Sequence, residues 1–283
     1  MVENGNVQAP FAIPTTLAIE LYKAGELLDV GDGAQQVGQK VLAQLQAEGI
    51  DSPYKYVALF ILSKALKTIQ AVQILARCGY GSDGLSLCAV LFENLVDLLY
   101  IGLAPVRRAR RFMQFENVQK FYQACKVLKR KRLPKGRRKI YEKYRDDLLP
   151  EVRPLLRFFE TAKGKPTAHG WSLKSVSDRA EAVKAGLAYQ ELYWVFCAHK
   201  HTTPMVAVGL IPNATPDLLI PTNGPDMAGV CHAAEQATEL FLKICLVIEK
   251  EFNLSLRAEV EKCLEDLQNA VHAVRKQNPR FFE

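Results

Sequence analysis

The sequence predicts an all-α fold, an antiparallel multi-helix bundle. Three observations carry that expectation. Apolar residues recur at three- and four-residue spacing through most of the 283 residues, which is the period of a helix with one buried face. Glycine and proline fall mainly between these stretches, where helices start and stop. The one non-helical region of note is 202–225, where Pro204, Pro212, Pro216, Pro221 and Pro225 stand among short apolar runs.

The elements follow in order. Leu17, Leu21, Ala24 and Leu28 come after Pro14-Thr15-Thr16, a start signal, and the run is expected to end at Gly31-Asp32-Gly33. A second helix carries Val37, Val41 and Leu45 and stops near Gly49. Asp51-Ser52-Pro53 opens a long helix reaching Cys78-Gly79, and 79–84, rich in glycine, reads as a turn. An apolar helix over 85–104 follows, and Pro105 restarts the chain into a helix to about Arg130. After Leu133-Pro134-Lys135-Gly136 another helix carries Tyr141, Tyr144 and Leu148, with Pro150 and Pro154 restricting its continuation. Residues 164–170 read as loop, 176–201 as one helix ended by Thr203-Pro204, and 226–252 and 254–277 as two more. The apolar runs 206–211 and 218–220 want burial, so 202–225 is expected as an ordered loop or small hairpin over the bundle. The organisation expected is a single helical domain over 1–283, with 1–50 an N-terminal helical hairpin packed on it and 126–139 a basic inter-helix segment.

Composition is that of a soluble globular chain, 49% hydrophobic and 24% charged. Seven cysteines are scattered without a C-x-x-C pair, which fits reduced thiols and a cytoplasmic protein. The first ten residues lack a basic start and an apolar core, so no secretory signal is read there. The stretch 85–104 is apolar enough to raise a membrane span, but Glu93, Asn94 and Asp97 lie at its centre. Each acid there costs about 2.5–3.5 kcal/mol on insertion, so it reads as a buried helix, with no second convincing span and no membrane partner. A homo-oligomer is compatible with this composition.

The net charge of +7 is local. Between 126 and 139 stand nine bases, Lys126, Lys129, Arg130, Lys131, Arg132, Lys135, Arg137, Arg138 and Lys139, with no acid among them. Arg107, Arg108, Arg110 and Arg111 add four, and the rest of the chain is net acidic. Such a run contacts a polyanion by releasing its condensed counterions, which points to RNA or DNA, with Tyr122, Tyr141 and Tyr144 placed to stack on bases. It is equally the composition of a solvated inter-helix hairpin.

Chemistry-bearing residues cluster in three places. Glu93 and Asp97 share a face of the apolar helix, where a carboxylate must be paired, hydrated, metal-bound or protonated. Tyr189, Tyr193, Cys197 and His201 recur at four-residue spacing as one slowly spiralling stripe. His201 ends that helix, where the dipole favours an imidazolium, and His169 lies in the preceding loop. No Glu-x-x-His, H-E-x-x-H, P-loop or G-x-S-x-G pattern occurs, no cofactor is indicated, and no metal site is assigned.

These segments, Leu91-Phe92-Glu93 with Leu99-Tyr100, then Trp171-Ser172-Leu173-Lys174-Ser175, then Tyr189, Tyr193, Cys197 and His201, resemble the motifs of an uncharacterised family of helical, mostly bacterial proteins known only as a domain of unknown function. The likeness spans roughly 55–205. Members often carry an arginine one turn before the glutamate, where Ala89 stands here, and a serine where Cys197 stands. The resemblance implies no reaction and no cofactor. A looser likeness, to helical ribonuclease domains of toxin and antiviral systems, lies in the all-α pattern and basic character; their arginine four to six residues before a histidine is missing.

Three functions follow as expectations. The first is a nucleic-acid-directed protein, extending to a metal-independent ribonuclease of defence or toxin type. In it Glu93, Tyr189, Tyr193 and His201 are catalytic, and Trp171, Ser172, Lys174, Ser175, Lys129, Arg130, Lys131, Arg137 and Arg138 bind substrate. The second is a small-molecule or metal-dependent enzyme using Glu93, Asp97, His169 and His201 under a lid of 202–225. The third is a non-catalytic interaction module in which the stripe is a polar core network.

Overall fold

The computed structural model describes residues 24–160, 166, 170–201 and 229–277. Among them it is all-α, with no strand, and Glu160 and Pro166 form an isolated antiparallel bridge. The long helices are α1 (Gly25–Ala47), α2 (Pro53–Arg77), α3 (Gly81–Gly102), α4 (Pro105–Leu128) and α5 (Lys135–Phe159). A 3-10 turn over Gly170–Ser172 leads to the short α6 (Val176–Ala182) and α7 (Gly186–Ala188), a π turn over Tyr189–Tyr193, and α8 (Trp194–Lys200). Helices α9 (Val230–Phe252) and α10 (Arg257–Gln277) complete the described chain. The expected loop or hairpin at 202–225 and the start of the first expected helix lie outside the described residues.

The chain divides into two compact units. One comprises the described parts of Met1–Gln44, Leu62–Leu95 and Glu191–Glu283, the other Leu45–Ile61 and Val96–Gln190. In the first unit α1, α2, α9 and α10 enclose a core of Ala24, Leu27, Leu28, Ala76, Cys231, Ala234, Leu267 and Val274. Small residues let these helices approach closely. A Cβ on Gly38 would sit 2.2 Å from the ring of Phe241, and one on Gly84 would sit 3.1 Å from the Cβ of Ala233. This packing explains why α1 runs straight through Gly31-Asp32-Gly33, where the sequence suggests a break between two helices. Gly31 abuts the buried Gln73 amide, which would meet a Cβ at 1.8 Å. Burial of this face outweighs the roughly 1 kcal/mol that each interior glycine costs. For the same reason α3 begins at Gly81, inside the expected 79–84 turn, with Gly84 seated against α9.

In the second unit α4 and α5 form a hairpin closed by Val118, Val152 and Phe159, with Phe115, Leu148 and Leu155 packed around them. Helix α5 passes through Pro150 and Pro154, where the sequence suggested a limit. Each proline removes one ladder hydrogen bond, and burial of Val152 between them and Phe159 beyond them keeps the segment helical. At the hairpin's turn Arg138 donates from Nη1 to the Leu128 carbonyl at 3.2 Å and from Nη2 to that of Arg130 at 3.3 Å, so it satisfies the open end of α4.

By length and composition both α2 and α3 are apolar enough to cross a bilayer, and in each 61% of the most apolar window is buried inside the protein. From the sequence, only the second is expected to raise that question.

Gly38→Ala drives a methyl into the Phe241 ring and is expected to lower unfolding free energy by about 1–3 kcal/mol, measured by urea denaturation. An unchanged midpoint would contradict this packing.

Candidate functional site

The Trp171 segment is built into the second unit as a hydrogen-bonded knot. Gly170 and Leu173, both with φ of 60°, bracket the 3-10 turn that carries Trp171 and Ser172. A left-handed leucine is strained and persists only where its surroundings impose it. Leu173 packs beside Val118 and Phe159. Ser172 Oγ accepts from the Lys174 N–H at 3.1 Å and from Arg179 Nη1 at 3.0 Å, and the Lys174 carbonyl accepts from the same Nη1 at 2.8 Å. Arg179 Nε meets Asp97 Oδ1 at 2.7 Å, with both side chains largely buried. Trp171 Nε1 donates to the other Asp97 oxygen at 3.4 Å, and the tryptophan ring lies between Tyr100 and Phe112. Asp97 is therefore the acid of an ion pair.

The segment's other polar residues have local tasks. Ser175 caps α6: its Oγ accepts from the Asp178 N–H at 3.0 Å, and Asp178 accepts in return from the Ser175 N–H at 3.1 Å. Lys174 contributes its carbonyl to Arg179, and the residue is exposed. Arg179, on which the knot turns, was not among the expected site residues. A signal was present, since an acid in the apolar α3 requires a cation and Arg179 is the only arginine between 171 and 200.

In the first unit the structure joins Glu93 and Tyr193. The phenol donates to Glu93 Oε1 at 2.7 Å, and its ring packs on Phe92 at 5.2 Å between centroids. Burial and the facing carboxylate push the Tyr193 phenol above its ordinary range, so its proton is held. His201 stands exposed just beyond α8, with no hydrogen bond or ion pair from its side chain to Glu93 or Tyr193. The single helix expected over 176–201 is interrupted. α6 ends with Lys184 at φ 62°, Lys184 N–H bonding Glu181 O at 3.1 Å and Ala185 N–H bonding Ala180 O at 2.8 Å, a left-handed cap. The π turn then holds Tyr189 and Tyr193 at its two ends. Its wider pitch changes the stripe's course, because five residues rather than four separate bonded groups.

The basic segment lies on the hairpin of the second unit. Lys126, Lys129, Arg130, Lys131, Arg132, Lys135, Arg137 and Lys139 are exposed, and among the described residues none has an acid within ion-pair distance. A groove of about 740 Å³ adjoins them, lined by Phe121, Tyr122, Lys126, Lys129 and Arg130 among others. The Tyr122 hydroxyl donates to Glu160 at 2.9 Å at its edge.

Residues 55–211, which span the Asp97–Arg179 knot, the Glu93–Tyr193 pair and the basic hairpin, match a family of unknown function, DUF5677. The chain belongs to this family. The DUF5677 interval agrees with the extent of the likeness read from the sequence and assigns no activity. No curated protein and no solved structure matches the chain. Among the described residues no group of three or more His, Cys, Asp or Glu side chains is placed to hold a metal ion. His169 lies outside them.

Two measurements check this geometry. Arg179→Ala removes the buried cation that faces Asp97 and is expected to cost about 3–5 kcal/mol in chemical denaturation, whereas Lys174→Ala changes stability by less than about 0.5 kcal/mol. A mild Arg179→Ala would refute the knot.

The second concerns pH. Burial lowers the His199 and His232 imidazoles from the ordinary 6.5, with His199 and Arg275 adding to the effect at His232 and Asp83 opposing it at His199. A base with a lowered folded pKa contributes stability that is complete above 6.5 and lost as pH falls through the folded value. Burial raises the neighbouring Glu235 carboxyl from 4.5, so its contribution has the opposite sign: present below 4.5 and lost as pH rises. The stability difference between wild type and His199→Gln/His232→Gln isolates the histidines, and should shrink as pH falls below 6.5. A difference independent of pH would contradict their burial as neutral groups.

Proposed function

We propose that this protein binds RNA or DNA, and that the α4–α5 hairpin is the element that grips the phosphate backbone. One observation carries the reading: eight exposed cations at the hairpin's turn have no counter-acid among the described residues. Crowding like charges is unfavourable unless a polyanion neutralises them, and each phosphate neutralised releases a condensed counterion.

The adjoining groove supports the same reading. Phe121 and Tyr122 give it aromatic surface beside Lys126, Lys129 and Arg130, and Tyr144 is 40% exposed on the facing helix. A cationic track with aromatic faces holds single strands with little sequence preference. Arg138 belongs to the hairpin's construction, since its guanidinium is engaged by two backbone carbonyls. The reading is one of binding. Tyr193, whose proton is shared with Glu93, is a poor candidate for a free base.

Fluorescence anisotropy with a labelled mixed-sequence oligonucleotide tests the proposal. Affinity is expected to fall steeply between about 50 and 200 mM salt, and each lost phosphate contact flattens the log–log slope by about 0.7–0.9. Arg130→Glu/Lys131→Glu/Arg137→Glu should remove binding while leaving the thermal midpoint within a few degrees. No binding by the wild type at low salt, or undiminished binding by the triple variant, would sink the reading.

A further inference from the structure

We propose that a second groove, at the start of α4, binds a phosphorylated nucleotide, either free or as the phosphate-bearing end of a strand. It uses different residues from the hairpin's turn, and a free mononucleotide probes it without any strand. The groove encloses about 450 Å³, within the range of small-molecule sites. Arg107, Arg110 and Arg111 line one side of it, and Gln114 stands one turn further along.

Their spacing puts these four side chains on one helix face. Arg108, between them, is already engaged: its guanidinium donates to the Tyr100 carbonyl and lies 3.8 Å from the Tyr100 ring centroid. Arg107, Arg110 and Arg111 have no ion pair or hydrogen bond from their side chains among the described residues. Like charges three and four residues apart each cost α4 a few tenths of a kcal/mol. An anion lying across them reverses the sign of that effect.

Guanidinium forks match phosphate oxygens in pairs. Three of them suit a group that carries more than the single charge of an internal phosphodiester. A terminal phosphate, at about −1.5 to −2 near neutral pH, is such a group, and a di- or triphosphate more so. The α5 wall is apolar, formed by Leu155, Phe158 and Phe159. Phe158 is 47% exposed and carries the Arg157 guanidinium 5.0 Å from its centroid. An inorganic anion leaves that wall bare. A nucleobase stacks on a phenyl ring whatever its sequence, and the Gln114 amide both donates and accepts at a base edge. Cations on one side and an exposed ring on the other fit a molecule with both parts.

Isothermal titration of the full chain at about 50 mM salt tests this with ATP, UTP, inorganic triphosphate, decyl phosphate, and a hexanucleotide bearing a 5′-phosphate or a 5′-hydroxyl. Nucleoside triphosphates are expected to bind about tenfold or more tighter than inorganic triphosphate. Arg110→Ala/Arg111→Ala should lose about tenfold or more, and Phe158→Ala should bring nucleotides down to the level of inorganic triphosphate. The triple variant of the hairpin's turn should bind ATP as wild type does, even if it binds no strand. A 5′-phosphorylated hexanucleotide that outcompetes both ATP and its 5′-hydroxyl counterpart assigns the strand end; tighter ATP assigns the free nucleotide. Equal affinity for ATP and inorganic triphosphate, an unaffected Phe158→Ala, tighter binding of decyl phosphate, or no nucleotide binding at all would overturn the proposal. Unchanged circular dichroism establishes that each variant is folded.

Discussion

A carboxylate in an apolar helix dictates much of the second unit's construction. Asp97 lies between the fully buried Val96 and Leu98, and leaving it uncompensated there would cost several kcal/mol. Arg179 neutralises it at 2.7 Å. Bringing that arginine to α3 imposes the left-handed Leu173, the Ser172 bonds and the Ser175 cap, because the chain must turn sharply from Gly170 into α6. The ion pair is weak ground for net stability, since desolvation offsets most of its attraction. Its effect is positional. The paired charges, with the bonds Arg179 makes to Ser172 and Lys174, fix where the Trp171 turn and α6 sit, while apolar packing alone would tolerate several arrangements.

The hairpin beyond it follows the opposite electrostatic rule. Where the knot pairs every charge, α4 and the start of α5 collect cations and leave them in solvent. Apolar packing through Val118, Val152 and Phe159 supplies the rigidity that charge repulsion would otherwise erode. Arg138 and Arg108 are the two members of the basic set turned inward to backbone carbonyls. They tie the turn and the start of α4 in place, and the remaining cations stay available to an anion. Under the binding we propose, stability and recognition thus draw on different members of one arginine-rich sequence.

The sequence made the fold legible where a local signal agreed with the packing. Pro53 at the start of α2 is one case, and Gly79 at its end is another: Gly79 takes φ 82° while the Gly79 and Tyr80 N–H groups close the helix on Ala76 and Leu75. The signal misled where tertiary contact overrode it, as at Gly31, whose small size serves helix packing rather than a turn. It was silent at the end of α6. The left-handed cap there is Lys184, and the glycine that would have announced it, Gly186, stands two residues late. For the candidate site, the four-residue stripe located Tyr193 and its helix, but no one-dimensional pattern reveals that Glu93, one hundred residues away, is its partner.

The hydrogen bond between Tyr193 and Glu93 also bears on what the stripe contributes. A catalytic acid or base needs a proton affinity near the working pH and a free path to substrate. Burial and the facing carboxylate move Tyr193 the other way, and the phenol's single proton is already given to Glu93. Phe92 covers the ring. These features are those of a polar link that orients α8 against α3 inside the first unit, in the way Arg179 orients α6 in the second. On the described surface a run of exposed cations without an acid partner lies instead on the α4–α5 hairpin, and it is there that we propose electrostatic capture of an outside molecule.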